Sequence, residues 1–298
     1  MPAPISPNPA RWTNRAGAAD LRGSRAWKSG ALLAVGLYGY LVLSIDHVRR
    51  FARDGYVVVP GVVPEPWLAD ADAEIDGVIT DAPPPEGKVG PHFYFLPPEQ
   101  LPAADAALRR SGALTAAEEL VAPHSLDHAL GHIQVALNIP PYPHRPGGPH
   151  LDGHRPEQSA PASFTMLAAV FLSDESIPDS GNLWVWPGSH LAHQQLFAKR
   201  GPTVLLATSG HTLSLDEPPP LRDPRPVSAR RGDLLLAHFL LGHNIGGNTS
   251  QATRRILYYR LHVDGHEQRW PDTFLDASCE YPPVRAASTA PGDARPAP

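Results

Sequence analysis

A chain of 298 residues, 42% hydrophobic and 18% charged, is long enough to bury a sizeable core in one large domain or two small ones. Its formal net charge of −5 argues against a nucleic-acid binder, which presents a basic face. The lone cysteine, Cys279, excludes an intrachain disulfide and predicts a reducing, cytoplasmic compartment.

Residues 1–29, rich in proline, alanine and arginine without hydrophobic periodicity, read as unstructured. The apolar run from Ala31 to Ile45 follows Arg22, Arg25 and Lys28. Two readings fit it: a signal-peptide core or short membrane anchor, and an N-terminal extension that packs on the domain or stays unordered. The run is shorter than the ~20 residues a spanning helix needs, which favours the second reading. The expected organisation is therefore an extension over 1–45, one folded domain over 46–281, and a disordered tail over 282–298.

Within the domain, Asp46 is expected to cap a short helix through Arg53 before Asp54-Gly55 turns the chain into the strand Tyr56–Val59. Leu68, Ala71, Ile75, Val78 and Ile79 recur at helical spacing, predicting an amphipathic helix over 65–79. The aromatic patch His92-Phe93-Tyr94-Phe95 reads either as a core strand or as part of a substrate wall. Residues 102–121 predict a helix broken near Ser111-Gly112, with Thr115 and Glu118 as a capping box for its second piece.

From His132 the period becomes two. Ile133, Val135, Leu137 and Ile139 share one face, and His132, Gln134, Ala136 and Asn138 share the other, a polar face suited to lining a cavity. Phe164–Leu172, Leu183–Trp186, Leu234–Leu241 and Arg255–Val263 supply further strands, with turns at Pro187-Gly188-Ser189 and Gly232-Asp233. The proline-rich segment 201–228 reads as a long loop, and with residues 87–100 it is expected to wall the substrate site. Helices first and punctuated strands after them predict an α+β fold: a jelly roll (double-stranded β-helix, cupin-like) flanked by helices.

Two His-x-Asp triplets stand in the chain, His150-Leu151-Asp152 and His262-Val263-Asp264, each followed by Gly-His. Residues at i and i+2 of a strand share a face, so either triplet could offer an imidazole and a carboxylate to one metal. A second histidine from a distant strand would complete the set of two histidines and one carboxylate that leaves the opposite face of Fe(II) open. Only the first triplet has such a distant histidine after it, because the chain beyond the second holds just the adjacent His266. His238 and His243 compete for the distal role, and at odd spacing they would face opposite sides of a strand.

Taken as an ordered set, several segments resemble the phytanoyl-CoA dioxygenase family of Fe(II)- and 2-oxoglutarate-dependent oxygenases, over roughly residues 46–264. They are Phe51-x-x-Asp54-Gly55-Tyr56, His150-x-Asp152, the run from Gly181 to His190, Gly232-Asp233, and His243 with Asn248, Ser250 and Arg254. The resemblance implies His150, Asp152 and His243 as the iron ligands of the catalytic centre. It implies Arg254 as the planar cation that forks onto the far carboxylate of 2-oxoglutarate, and Asn138 as a further cosubstrate contact. It also implies O2 as co-reactant, a small-molecule substrate, and release of succinate and CO2. Asp152 stands where halide-transferring members carry a small residue, so the implied outcome is hydroxylation. Family members often carry Gly-Ser directly after the distal histidine; Asn244-Ile245 stand here, and a replacement anchor is expected from Thr165 or Ser250. The competing reading is a non-oxygenase, cupin-type metal- or ligand-binding protein, which has no need of a cation at position 254.

Overall fold

In the computed structural model of the chain, residues 41–127, 130–152, 162–201 and 219–289 are described. Helix α1 (Ile45–Asp54) comes first, and its cap is Ser44 rather than Asp46. The Ser44 hydroxyl accepts from His47 N at 3.2 Å while His47 Nδ1 accepts from Ser44 N at 3.3 Å. Asp46 falls in the first turn, where its charge favours the helix dipole instead. The last described residues of the extension expected over 1–45 pack on the domain. Val42 and Leu43 donate backbone N–H groups to the Glu119 carboxylate at 2.9 and 2.8 Å, and Leu43 is buried. Residues 1–40 lie outside the described residues, among which no helix is long and apolar enough to cross a membrane.

The chain continues through β1 (Tyr56–Val59), α2 (Glu65–Asp81), β2 (Gly90–Leu96), α3 (Pro102–Arg109) and α4 (Ala113–Val121). Thr115 sits inside α4 and caps nothing, since Ser111 Oγ already accepts from Ala113 N at 3.1 Å. Then follow β3 (Ile133–Ile139), β4 (Met166–Phe171), β5 (Leu183–Val185), α5 (Ser189–Arg200), β6 (Arg225–Pro226), β7 (Leu234–His238), β8 (His243–Ile245), β9 (Arg254–Leu261), α6 (His266–Leu275) and α7 (Pro282–Thr289). Six strands form one antiparallel sheet in the order β1-β7-β4-β9-β3-β2, and three form a second in the order β6-β5-β8.

Strand alternation decides the layers. Ile133, Val135, Leu137, Met166, Val170, Leu257 and Tyr259 bury one face of the large sheet against α1 to α4 and α7. The intervening Ala136, Leu167, Phe171, Ile256 and Tyr258 pack with Leu183 and Val185 of the small sheet. Each fully buried large aliphatic or aromatic contributes about 1.5–3 kcal/mol, so a slip of one residue in any strand would forfeit a face's worth of burial. The result is the α+β jelly roll, with α1 to α4 and α7 on one face of the large sheet and the small sheet with α5 and α6 on the other.

Three helices escaped the sequence, as did the short strands β6 and β8. The stripe that buries α5 is His190, His193 and Phe197, two of them residues that read as polar. Helix α6 carries Pro271 in its interior, which reads as a breaker. The tail expected to be disordered from 282 is helical to Thr289, because Val284 and Ala287 are buried and Tyr281 Oη donates to Thr165 O at 2.6 Å. Of the long loop, residues 202–218 lie outside the described residues, while Val227 is buried in the core.

Candidate active site

His243 opens β8, and His150 pairs with it through reciprocal backbone bonds of 3.0 and 3.2 Å. The first His-x-Asp triplet is thus an isolated bridge on the edge of the small sheet rather than the full strand expected, pinned by the buried Leu151. Asp152 Oδ1 lies 3.6 Å from His150 Nε2 and 3.5 Å from His243 Nε2, and the two rings stand 4.5 Å apart. One ligand atom from each residue falls within 4.8 Å of the others, the only such group of three metal-ligating side chains among the described residues. Two imidazole nitrogens and one carboxylate oxygen suit Fe(II).

The surroundings fix each donor. His243 Nδ1 donates to Leu241 O at 3.0 Å, which leaves Nε2 with its lone pair toward the cluster. Arg260 Nη2 donates to Asp152 Oδ2 at 2.6 Å, so one carboxylate oxygen is tied back and Oδ1 is left for a metal. Burial alone would raise the Asp152 carboxyl, but its contacts with His150, His243 and Arg260 outweigh it and hold the group well below the usual carboxylate range. Burial and the neighbouring His243 lower His150. Burial opposes protonation of His243 too, yet its contact with Asp152 prevails and raises it.

Sequence reasoning missed Arg260, although the signal was there. Arg254, Ile256, Tyr258 and Arg260 alternate along β9 and face the same way. Arg260 also donates to Gln134 Oε1 at 3.0 Å and lies over the Phe164 ring at 5.6 Å. Arg260→Met keeps that stem packing but frees Asp152 Oδ2; iron affinity is expected to fall about 10–100-fold, the usual effect of losing a ligand's supporting bond, as measured by competition with a chelator.

The other end of the β9 face holds Arg254, buried and in register with Asn138 on β3. Its Nε donates to Gly181 O at 2.9 Å and its Nη1 reaches Ala136 O at 3.4 Å. Gly181 adopts φ +92°, and a Cβ there would stand 2.8 Å from Arg254 Cβ. Gly246 likewise gives way to Trp184, whose ring would meet a Cβ at 2.5 Å. Asn138 Nδ2 donates to Gly246 O at 2.9 Å while its buried Oδ1 has no partner. Tyr258 connects the two ends. Burial pushes its phenol up to about 12, with Arg254 opposing. A buried guanidinium with N–H donors to spare fits the carboxylate of a small acid. Arg255 faces the opposite way, paired with Asp72 at 3.4 Å and Asp76 at 2.8 Å.

Two expected anchors are corrected. Thr165 Oγ1 donates to Glu280 Oε2 at 2.6 Å and accepts from Val263 N at 2.9 Å, in a separate buried cluster with His266 and Ser163. A neighbouring cavity of about 10 Å³, lined by Thr165, His238, Phe239 and Cys279 among others, has room for one water. Ser250 Oγ is committed to Asn248 Oδ1 at 2.7 Å and Ala252 O at 3.1 Å. The second triplet belongs with the same buried cluster: the His262 ring stands 5.7 Å from His266, which is bound to Glu280 at 2.9 Å. His238 is a core residue. Its ring contacts Ala277 O at 2.8 Å and accepts from Leu240 N at 2.9 Å, and burial pushes it down to about 4.

Comparison with known proteins gives one family and several structures. The family model described as phytanoyl-CoA dioxygenase matches residues 51–256. No curated protein matches the chain. Among solved structures, the non-heme α-ketoglutarate-dependent carbocyclase SnoK of nogalamycin biosynthesis is similar at 19% identity and a TM-score of 0.54, over 76% of this chain and 90% of its own. HygX from Streptomyces hygroscopicus, solved with nickel and 2-oxoglutarate, is 19% identical with a TM-score of 0.50, over 75% of this chain and 88% of its own. The epimerase SnoN, also of nogalamycin biosynthesis, is 20% identical with a TM-score of 0.51, over 73% of this chain and 80% of its own. At such identity these likenesses establish the fold.

Proposed function

Because the chain belongs to the phytanoyl-CoA dioxygenase family, we propose that it is an Fe(II)- and 2-oxoglutarate-dependent oxygenase that hydroxylates a C–H bond of a small organic substrate. The observation that carries this reading is the convergence of His150, Asp152 and His243 on one side of a site whose other end is the buried Arg254. Bound Fe(II), with 2-oxoglutarate and O2, would supply the oxidising power, releasing succinate and CO2. The protein's own contribution is placement. His150 Nε2, His243 Nε2 and Asp152 Oδ1 would hold the metal, and Arg260 keeps the carboxylate turned. Arg254 receives the far carboxylate of the cosubstrate, and Asn138 offers it a further polar contact. A cation at that depth supports the oxygenase over a cupin-type metal isomerase, which has no acid to anchor.

The substrate wall expected over 87–100 fits β2. Phe93 and Phe95 stand opposite Ala136 and Gln134, on the site face of the sheet, and remain 37% and 53% exposed. They offer an apolar edge to the substrate, while His92 and Tyr94 take the alternate face.

Hydroxylation is favoured because a carboxylate stands at position 152, where halide-transferring members of the family carry a small residue. The carbocyclase and epimerase of the same fold have other outcomes, so the product must be weighed. Iron-dependent conversion of 2-oxoglutarate to succinate is expected from the unaltered protein and not from Asp152→Ala. With a converted substrate, mass spectrometry should find one oxygen atom from labelled O2. A product without added oxygen would point to cyclisation or epimerisation instead.

A further inference from the structure

We infer that Glu175, in its protonated form, is the second anchor for the far carboxylate of 2-oxoglutarate, replacing the hydroxyl that Asn244-Ile245 do not supply. The inference rests on the cosubstrate reading above and goes on to name a residue and a proton. Glu175 is completely buried, and its backbone is fixed by a 2.8 Å bond from its N–H to Ala229 O. Neither of its carboxyl oxygens has a hydrogen-bond partner. Arg254 Nε is 3.9 Å away but is already donating to Gly181 O. Among the described residues, four buried side-chain polar atoms lack a partner: both Glu175 oxygens, Asn138 Oδ1 and His190 Nδ1. The first three belong to residues grouped at Arg254, opposite which Asn138 stands in register. Three atoms with unmet hydrogen bonding thus stand at one guanidinium, and a proton on Glu175 turns one of them into a donor.

The chemistry selects the ligand. A buried carboxylate with no donor is strongly disfavoured, so the group takes a proton. Burial, with a smaller push from the exposed Asp174 and against the pull of Arg254, moves Glu175 up to about 8. Tyr258 is the other titratable group facing it, and at about 12 it does not change charge in the neutral range. A neutral carboxyl beside a guanidinium offers an O–H donor next to a forked N–H donor, a pair that receives one carboxylate on two sides. Once ionised, the same group would repel that carboxylate. Thr165 and Ser250 are committed elsewhere, and Ile245 has no polar atom in its side chain.

The test is calorimetric titration of 2-oxoglutarate into anaerobic Fe(II)-loaded protein between about pH 6.5 and 9.5, with the unaltered chain and Glu175→Gln. For one group near pH 8, the unaltered protein should lose about thirtyfold in affinity across that range. It should also take up protons on binding above pH 8, read from the dependence of the heat on buffer ionisation enthalpy. Glu175→Gln, whose amide donates without titrating, should bind within a few fold of the unaltered protein at pH 7 and keep that affinity throughout. The proton uptake needs no variant, so a misfolded variant would not rescue the idea. Flat affinity in the unaltered protein, or an equal slope in both proteins, overturns the role of Glu175 while leaving the cosubstrate reading intact. Absence of 2-oxoglutarate binding at every pH overturns both.

Discussion

Alanine at His150 or at His243 is expected to strip the protein of iron through gel filtration, while His262→Ala retains a full complement. Both nitrogens lie about as far from the same Asp152 oxygen, 3.6 and 3.5 Å, so neither is a spectator whose loss the other could cover. Loss of a bond that merely supports a ligand costs about 10–100-fold in metal affinity, and loss of a ligand itself should cost more than about 100-fold. His262 packs against His266 in the cluster closed by Glu280, where it can influence folding but not the metal. Metal analysis after desalting reads the outcome. Iron lost from His262→Ala and kept by His150→Ala would mean that the other triplet is the metal site.

Arg254→Ala is expected to weaken 2-oxoglutarate binding about 10–150-fold, the equivalent of the ~1.5–3 kcal/mol that a charge-assisted contact contributes. Arg255→Ala should change it less than about twofold, because its partners Asp72 and Asp76 lie on the helix side of the sheet, away from the face that carries Arg254. Isothermal titration with the metal-loaded variants measures both, and melting curves control for the bond that Arg254 gives Gly181 O. Equal losses would contradict the pairing of Asn138 with Arg254 across β3 and β9.

Alternation makes the large sheet legible in the sequence, and for a physical reason. Strands β3 and β9 bury both faces, so their residues sort cleanly between the helices and the small sheet. The same rule places Arg254 inward and Arg255 outward. Carried further along β9, it also places Tyr258 and Arg260 in the site, a signal that the motifs alone do not carry. Glu175 gives no such signal. It lies in a connection between β4 and β5, and only tertiary folding lays it beside Arg254. Thr165 misleads for the opposite reason: a hydroxyl near a strand start looks like an anchor, but Glu280, more than a hundred residues later, holds it. Caps fail locally, at Asp46 and Thr115, where a neighbouring serine is the better-placed acceptor.

The central claim is that one site holds iron and 2-oxoglutarate together. Anaerobic addition of Fe(II) and then 2-oxoglutarate, followed by visible absorption, tests it most directly. The unaltered protein should develop the weak charge-transfer band of the metal-bound keto acid, saturating with 2-oxoglutarate and absent in His243→Ala. No band at saturating iron and 2-oxoglutarate, or the same band in His243→Ala, would contradict it.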